Sequence, residues 1–319
     1  MKLDSYAYSG RTDLESFEVE NGTSCIGERA FAGCSSLTRL TLPDSVTQIG
    51  PCAFSDCTSL RELQLPANLK QLGPLAFKGC TSLQSIRIPR GVTELRGWTF
   101  EQCRSLSQVE LPDTITVLDC GVFQNCRSLT ELKMPLHLEK ISEHALEGCT
   151  GLTELQIPDS VLTIRRGAFW GCSGLVEVTL PTHIARQGND LFEGCTSLYR
   201  ITLNRASREN LEQAFLATSK FEDKILLAVG MLNQGVHSEM LEEYVRQHVR
   251  KALYLFADQF NDAMFAKTLG FPFVQQEVKD SYDALFRHAN QSNNMKIKAV
   301  LLQYRNDHLG YQNEDEFEL

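Results

Sequence analysis

The chain has 319 residues, 42% of them hydrophobic, and its 31 basic and 40 acidic side chains give a formal net charge of −9. This length predicts about two domains, each with a sizeable core. The acidic balance argues against a nucleic acid or an anionic membrane surface as a partner, because both attract basic proteins. No apolar run is long enough to span a bilayer, and the N-terminal segment lacks the apolar stretch of a secretory signal. We therefore predict a cytoplasmic protein without membrane insertion.

The first part of the chain is built from a repeating unit. Eight of the eleven cysteines stand 23 residues apart, and columns of phenylalanine, leucine and proline follow the same period. A strict period of this length indicates tandem structural units that stack on one another. The periodic cysteines are Cys34, Cys57, Cys80, Cys103, Cys126, Cys149, Cys172 and Cys195.

Each unit, as in residues 36–57, predicts three short elements. Alternating leucines predict a strand with one buried face, and a proline closes the strand. A valine and an isoleucine three residues apart cover the next side, and the segment Ala-Phe-x-Gly-Cys predicts a helical turn on the far side. Stacked units therefore share one continuous core, and their strands form a curved parallel sheet.

The pattern is weaker in the first and last units. Residues 7–26 form a degenerate unit with Tyr8 in the phenylalanine position and Arg11 in the cysteine position, which is typical of a cap. In the last unit Gln187 replaces the isoleucine and Asn204 replaces the proline. We predict an α/β repeat solenoid of about nine units over residues 1–203.

After residue 203 the spacing of the apolar side chains becomes helical, which predicts an all-α domain over 204–310 and an acidic disordered tail over 311–319. Two self-similar stretches begin at Ala257 and Ala289 and favour ankyrin-like helix pairs with an offset of 32 residues. A plain helical cap that seals the open end of the solenoid is the alternative. The predicted N-caps are Ser207 and Ser238, and the predicted helices span 207–218, 220–232, 238–257, 261–270, 274–290 and 294–306.

The repeat resembles the BspA-like class of bacterial leucine-rich repeats, whose units have 23 residues and the same Ile-Gly-x-x-Ala-Phe-x-x-Cys core. The resemblance covers about residues 6–203. It implies a leucine-rich-repeat solenoid that acts as a non-catalytic scaffold and binds a protein or peptide through its surface. Two alternatives stay open. One is a cell-surface adhesin, if the native chain carries a signal absent from this sequence, and the other is an enzyme or effector activity in the helical region.

The outward side chains of the predicted sheet form a first candidate contact surface, on its concave face. Three glutamates follow one another on successive strands, and stacked like charges are unfavourable. Either this is a solvated face with a few compensating ions, or it is an acidic groove for a basic or polar peptide. The candidate residues on the concave face are Glu131, Glu154, Glu177, Arg87 and Lys133.

The second candidate contact surface is an apolar patch at the two positions before the alanine of Ala-Phe. Other units carry charged or small residues at these positions, so the fold does not require apolar side chains there. Either the patch is exposed and contacts a partner or a second copy, or its leucine and tryptophan fold inward over a neighbouring unit. The patch consists of Pro51, Cys52, Pro74, Leu75 and Trp98.

Motifs of known catalytic and nucleotide-binding sites are absent from the sequence. Cys52 and Cys57 have four intervening residues, but no second pair of that kind completes a zinc site. We interpret the periodic cysteines as reduced, buried side chains. We predict no catalytic residue, no cofactor and no metal. The expected partner is a protein or peptide whose identity the sequence does not give, and a homodimer is possible.

Overall fold

The computed structural model describes residues 1–181, 186–188, 190–198, 200–204, 221–233, 235–236, 238–259 and 261–309. Its first part is a solenoid in which each 23-residue unit forms one rung, with up to two short strands and a series of turns. In chain order the strands are β1 Lys2–Leu3, β2 Ser16–Glu18, β3 Cys25–Ile26, β4 Arg39–Thr41, β5 Gln48–Ile49, β6 Gln71–Leu72, β7 Ser85–Arg87, β8 Glu94–Leu95, β9 Gln108–Glu110, β10 Val117–Leu118, β11 Lys140–Ile141, β12 Glu154–Gln156, β13 Thr163–Ile164, β14 Glu177–Leu180, β15 Arg186–Gln187 and β16 Arg200–Leu203.

The leucine-rich strands form the first ladder, as the alternation of leucines predicts. It consists of the parallel groups β2–β4, β7–β9 and β12–β14–β16, and an isolated bridge joins Glu62 to Ser85. The register is one repeat, so that Glu154 lies opposite Glu177. Residues 129–134 lie outside regular strand, which interrupts the first ladder near its middle.

A second parallel ladder runs along the next side of the solenoid, where the sequence predicts a covering segment but no sheet. It consists of β1–β3–β5–β6 and β8–β10–β11–β13–β15. Ile26 lies opposite Ile49, and Ile164 lies opposite Gln187, so the glutamine of the last unit keeps the register. The parallel sheet that the sequence predicts is thus accompanied by a second parallel ladder, which the sequence does not predict. These two-residue strands are extended because each amide meets a carbonyl one rung away.

The Ala-Phe-x-Gly-Cys segments do not form the expected helical turn. Alternate amides bond in two directions: the Phe31 amide donates to the Ala53 carbonyl on the next rung at 2.8 Å, whereas the Cys34 amide donates back to Phe31 at 3.1 Å. This side is therefore a third column of hydrogen bonds between rungs, built from turns, which we call the turn wall. Two positions of most rungs lie in the left-handed region, for example Arg29 at φ 52° and Gly33 at φ 74°.

The core is a stack of identical side chains. Phenylalanine rings of successive rungs stack with centroids 5.2 Å apart for Phe54 and Phe77 and 5.4 Å apart for Phe77 and Phe100. Tyr8 stacks on Phe31 at 5.3 Å, which confirms its place in the phenylalanine column. All eight periodic cysteines are buried, as the sequence predicts, and all eleven cysteines are free thiols.

The chain ends in five α-helices among the described residues: α1 Phe221–Leu232, α2 Glu239–Asp258, α3 Asp262–Leu269, α4 Gln275–Gln291 and α5 Met295–Tyr304. A 3₁₀ turn, Pro272–Val274, precedes α4, and one π turn, Arg305–Leu309, follows α5. Five of the six predicted helices are thus present. The helix predicted at 207–218, the N-cap predicted at Ser207 and the tail at 311–319 lie outside the described residues.

The helical region packs against the last described strand of the solenoid. A Cβ atom placed on Gly230 of α1 would lie 3.2 Å from Cβ of Ile201 in β16, so the glycine lets the helix approach the strand closely. The side-chain amide of Asn261 donates to the Leu198 carbonyl at 3.0 Å. These contacts continue the hydrophobic core from the solenoid into the helices.

The internal repeat of the helical region has a spacing of 33 residues, and the predicted offset of 32 is wrong by one. Asn261 caps α3 by accepting from the Met264 amide, and Asn294 caps α5 by accepting from the Ile297 amide, both at 3.1 Å. The neighbouring Asn293 makes the alignment ambiguous in sequence. Ser238 lies at the N-cap of α2, as predicted, with extended backbone.

Candidate functional site

The first-ladder face, formed by side chains that point outward from the first ladder, carries the charged residues that the sequence singles out. A groove of about 770 Å³ crosses three rungs, and its floor includes Leu65 and Ile88. Arg87 and Arg90 line one side of this groove, and Asp44 lines it farther towards the N-terminus. The groove thus combines an apolar floor with charged walls, so it offers both apolar and ionic contacts to a ligand.

A second groove on the same face, of about 340 Å³, brings together three of the predicted residues. Glu131, Lys133 and Glu154 line it with Met134 and the exposed Leu136. The structure therefore places two of the three predicted glutamates, Glu131 and Glu154, in one site with Lys133.

The other two predicted charges of this face belong elsewhere. Glu177 lies one rung farther on, where its carboxylate accepts from Arg200 at 3.0 Å. Arg87 lies two rungs before Glu131 and is paired with Glu110 at 2.9 Å. Of the five predicted residues, Arg87 therefore lines the first groove, three line the second groove, and Glu177 lines neither.

The apolar patch lies on the turn wall, and its column adopts an unusual backbone. Cys52, Leu75 and Trp98 have φ values of 52°, 60° and 56°. An L-residue in this left-handed region is under strain, which glycine avoids. The Trp98 side chain is 43% exposed and Pro51 is exposed, whereas Cys52, Pro74 and Leu75 are half-buried. Trp98 therefore does not fold into the core.

Glycines in the following rungs make room for the rings of this column. A Cβ atom on Gly121 would collide with the Trp98 indole, and one on Gly167 would lie 2.8 Å from Nδ1 of His144. Both rings therefore lie against the backbone of the next rung. The pattern of a ring followed 23 residues later by a glycine is visible in the sequence and signals this arrangement.

Sequence reasoning missed one residue of this surface. Trp170 is 37% exposed and lies with its ring centroid 6.0 Å from that of His144. Its column otherwise carries polar or small side chains, such as Lys78 and Glu147, so the tryptophan is exceptional there. His144 itself contacts the Glu147 carboxylate at 2.7 Å.

Cys120 lies beside the apolar patch, and its surroundings make its thiol a poor nucleophile. Burial, followed by the Glu143 carboxylate that accepts its thiol hydrogen at 3.3 Å, raises the pKa of Cys120 to about 11. A thiol with so high a pKa is protonated at neutral pH and is a poor nucleophile. The described residues contain no group of three or more His, Cys, Asp or Glu side chains arranged to hold a metal ion. Within the same residues, every helix is too short or too polar to cross a bilayer.

A family model described as the BspA type leucine rich repeat region, in six copies, matches residues 1–130 and 116–228. Among solved structures, a leucine-rich repeat protein from Bacteroides ovatus is 29% identical, with a TM-score of 0.52 over 63% of this chain and 64% of that chain. A leucine rich cell surface protein from Faecalibacterium prausnitzii is 26% identical, with a TM-score of 0.47 over 68% of this chain and 66% of that chain. The chain thus spans slightly less than two thirds of each of these structures. No curated protein matches it.

Proposed function

Since the chain belongs to the BspA-type leucine-rich repeat family, we propose that it is a non-catalytic scaffold that binds a segment of another protein on its first-ladder face. Repeat solenoids offer extended surfaces to which each rung contributes a few side chains. The observation that carries the proposal is the groove of about 770 Å³, which crosses three rungs. It has an apolar floor, two arginines on one side, and Asp44 farther towards the N-terminus.

The charges divide the first-ladder face into two parts. Arg87 and Arg90 line the first groove, while Glu131 and Glu154 line the second, with Lys133 between them. An extended peptide that lies across the rungs would therefore place an acidic group near Arg90 and a basic group near Glu154. The charges favour one direction of binding, because the reversed peptide would bring like charges together.

The chemistry of the described residues supports the non-catalytic part of the proposal. The half-buried thiol of Cys120 is held protonated, and the eight periodic thiols are buried in the core, where a substrate does not reach them.

We also propose a cytoplasmic location, which the column of free thiols supports, since reducing compartments preserve such thiols. Fractionation of native cells with an antibody tests the location, and detection on the cell surface would favour the adhesin alternative.

Selection from a library of displayed twelve-residue peptides tests the binding surface. We expect the enriched peptides to carry acidic and basic residues at separate positions. Their affinity should fall at least tenfold for each of two double variants. One combines Arg87→Glu with Arg90→Glu, and the other combines Glu131→Lys with Glu154→Lys. The matched control reverses Arg104 and Arg127, two exposed arginines outside both grooves. Enriched peptides that bind all three double variants equally would contradict the proposal.

A further inference from the structure

A second surface, separate from the first-ladder face, holds both tryptophans of the chain. Leu75, Trp98, His144 and Trp170 follow one another along the turn wall, and we call this set the aromatic track. The two indoles are 43% and 37% exposed. Large exposed aromatic side chains of this kind are the residues that dominate binding energy at protein contacts.

The fold does not require these side chains. In the same left-handed column other rungs carry Arg29, Gly121 and Asp190, and all of these adopt the same backbone. Glycine is the residue that adopts this conformation without strain. A leucine and a tryptophan at these positions therefore cost stability and expose apolar surface, and neither property helps folding.

The charges beside the track are neutralised in pairs. Lys78 lies 3.0 Å from Glu101, Arg96 lies 3.0 Å from Glu94, and Arg166 lies 3.1 Å from Asp190. On a chain with a net charge of −9, this leaves a surface with little local field. Such a surface selects a partner without charge, since a charged partner would lose hydration without gaining a counter-charge.

The spacing of the rings matches one kind of peptide. Trp98 and His144 are two rungs apart, which is about 10 Å at the usual spacing between strands. A polyproline II helix has three residues per turn and a rise of about 3.1 Å per residue, so residues i and i+3 recur every ~9.3 Å on one side. Two residues three positions apart in such a peptide would therefore meet Trp98 and His144, and the Trp170 ring, 6.0 Å from that of His144, would add to the second contact.

The chemistry of the rings fits the same peptide. Within the described part of the chain the Trp98 and Trp170 indoles make no hydrogen bond. Each indole N–H is a donor, and the carbonyl groups of a polyproline II backbone have no internal partner. Aromatic grooves are an established way to bind proline-rich segments. We propose that the aromatic track binds an uncharged, proline-rich segment of another protein in the polyproline II conformation.

A second copy of the chain fits the track less well. From the rung of Leu75 to that of Gly167 the track extends over about 19 Å, and it is one or two side chains wide, which gives roughly 200 Å². A stable interface buries about 800 Å² on each partner. A short linear segment is the partner that this area can satisfy.

Intrinsic fluorescence tests the proposal directly, because both tryptophans lie in the track. The full chain is titrated with decaproline, acetylated and amidated at its ends, and with a Gly-Ser peptide of equal length as the matched control. We expect a saturable change in fluorescence with decaproline alone. Trp98→Ala, read through Trp170, and Leu75→Ser should each weaken binding at least tenfold. Arg90→Ala, on the first-ladder face, should bind as the wild type does.

Thermal unfolding shows whether each variant is folded. If Trp98→Ala does not fold, Trp98→Phe keeps a ring but removes the indole donor, and we expect its affinity to fall about threefold or more. Equal responses to decaproline and to the Gly-Ser peptide, or wild-type affinity of the Trp98 variants, would overturn the proposal. So would a dimer in sedimentation experiments that Trp98→Ala abolishes, because the track would then bind a second copy. Loss of decaproline binding in Arg90→Ala would assign the peptide to the first-ladder face.

Discussion

The thiol of Cys80 donates a hydrogen bond to the carbonyl oxygen of Phe54 at 3.1 Å, 26 residues earlier in the chain. The same bond recurs on each rung of the cysteine column, from Cys34 and Tyr8 to Cys195 and Phe169. The cysteine therefore acts as a donor between rungs as well as a small core side chain. The Phe54 carbonyl also accepts from the Cys57 amide at 3.2 Å, so the thiol of the next rung is a second donor to the same oxygen.

We expect Cys80→Ala to lower the free energy of unfolding by about 1–3 kcal/mol, because it leaves a small cavity and removes one of the two donors to the buried Phe54 carbonyl. Urea unfolding measures this change. Cys25→Ala is the matched control, since Cys25 is half-buried and outside the column, and its effect should stay below about 0.5 kcal/mol. Equal effects of the two substitutions would show that the inter-rung bond contributes nothing.

Burial raises the pKa of Cys80, Cys103 and Cys126 well above the ordinary value of 9.0. These thiols stay protonated in the folded chain while those of the unfolded chain ionise above pH 9. Stability should therefore be constant, as far as the thiols are concerned, below pH 9 and should fall as the pH rises further. Unfolding in urea at several pH values measures the slope. Cys80→Ala should reduce it by up to ~1.4 kcal/mol per pH unit, and an unchanged slope would contradict the assignment.

Phe77→Ala should cost about 3–5 kcal/mol, because the ring is fully buried between those of Phe54 and Phe100. Since each rung is stabilised by its neighbours, the melting temperature of the whole solenoid should fall. Phe77→Leu is the control: Leu146 fills the same position on another rung, fully buried. The leucine variant should retain most of the stability, and a melting temperature that Phe77→Ala leaves unchanged would show that the register is wrong.

Gly121→Ala should destabilise the protein for two reasons. Its backbone lies in the left-handed region at φ 57°, which costs an alanine about 1–2 kcal/mol, and the new methyl group collides with the Trp98 indole. In a Trp98→Ala background only the backbone cost remains. A double-mutant cycle should therefore give a coupling energy of at least about 0.5 kcal/mol. Independent effects would mean that the indole does not lie on Gly121.

Asn261 joins the helical region to the solenoid, and Asn294 makes the same two bonds within the helical region, to the Ile297 amide and the Ala257 carbonyl. Asn→Asp at either position keeps the cap acceptor and removes the side-chain donor. We expect Asn261→Asp to increase hydrogen exchange in β16, and Asn294→Asp to leave that strand protected. Similar protection of β16 in both variants would show that the bond to Leu198 does not hold the two parts together.

The sequence predicts those parts of the structure in which a backbone position always requires the same type of residue. The leucine, phenylalanine and cysteine columns predict the rung, its core and the place of Tyr8, because the same positions of every 23-residue unit are buried. The second ladder escapes prediction, since a strand of two residues such as Gln48–Ile49 is too short to show alternation. The left-handed column is hidden because Arg29, Trp98 and Asp190 occupy it in place of glycine.

The candidate surfaces were predictable to a different extent. Exposure of Trp98 follows from the charged residues that replace it on other rungs, but Trp170 belongs to another column and approaches His144 only in three dimensions. The separation of Arg87 and Glu177 from the groove of Glu131, Lys133 and Glu154 likewise depends on the number of rungs between them. Spacing in the sequence gives the columns, whereas the shape of the grooves depends on the side chains around them.

The hydrogen bonds of the two ladders and the turn wall all point along the solenoid axis, and this gives the protein a mechanical character. When a force pulls the two ends apart, the three columns of bonds between two neighbouring rungs share it. Each successive pair of rungs carries the same total force. The chain should therefore lengthen in steps, with one rung opening at a time. Residues 129–134, where the first ladder is interrupted, have fewer bonds to share the load and should be the first to yield.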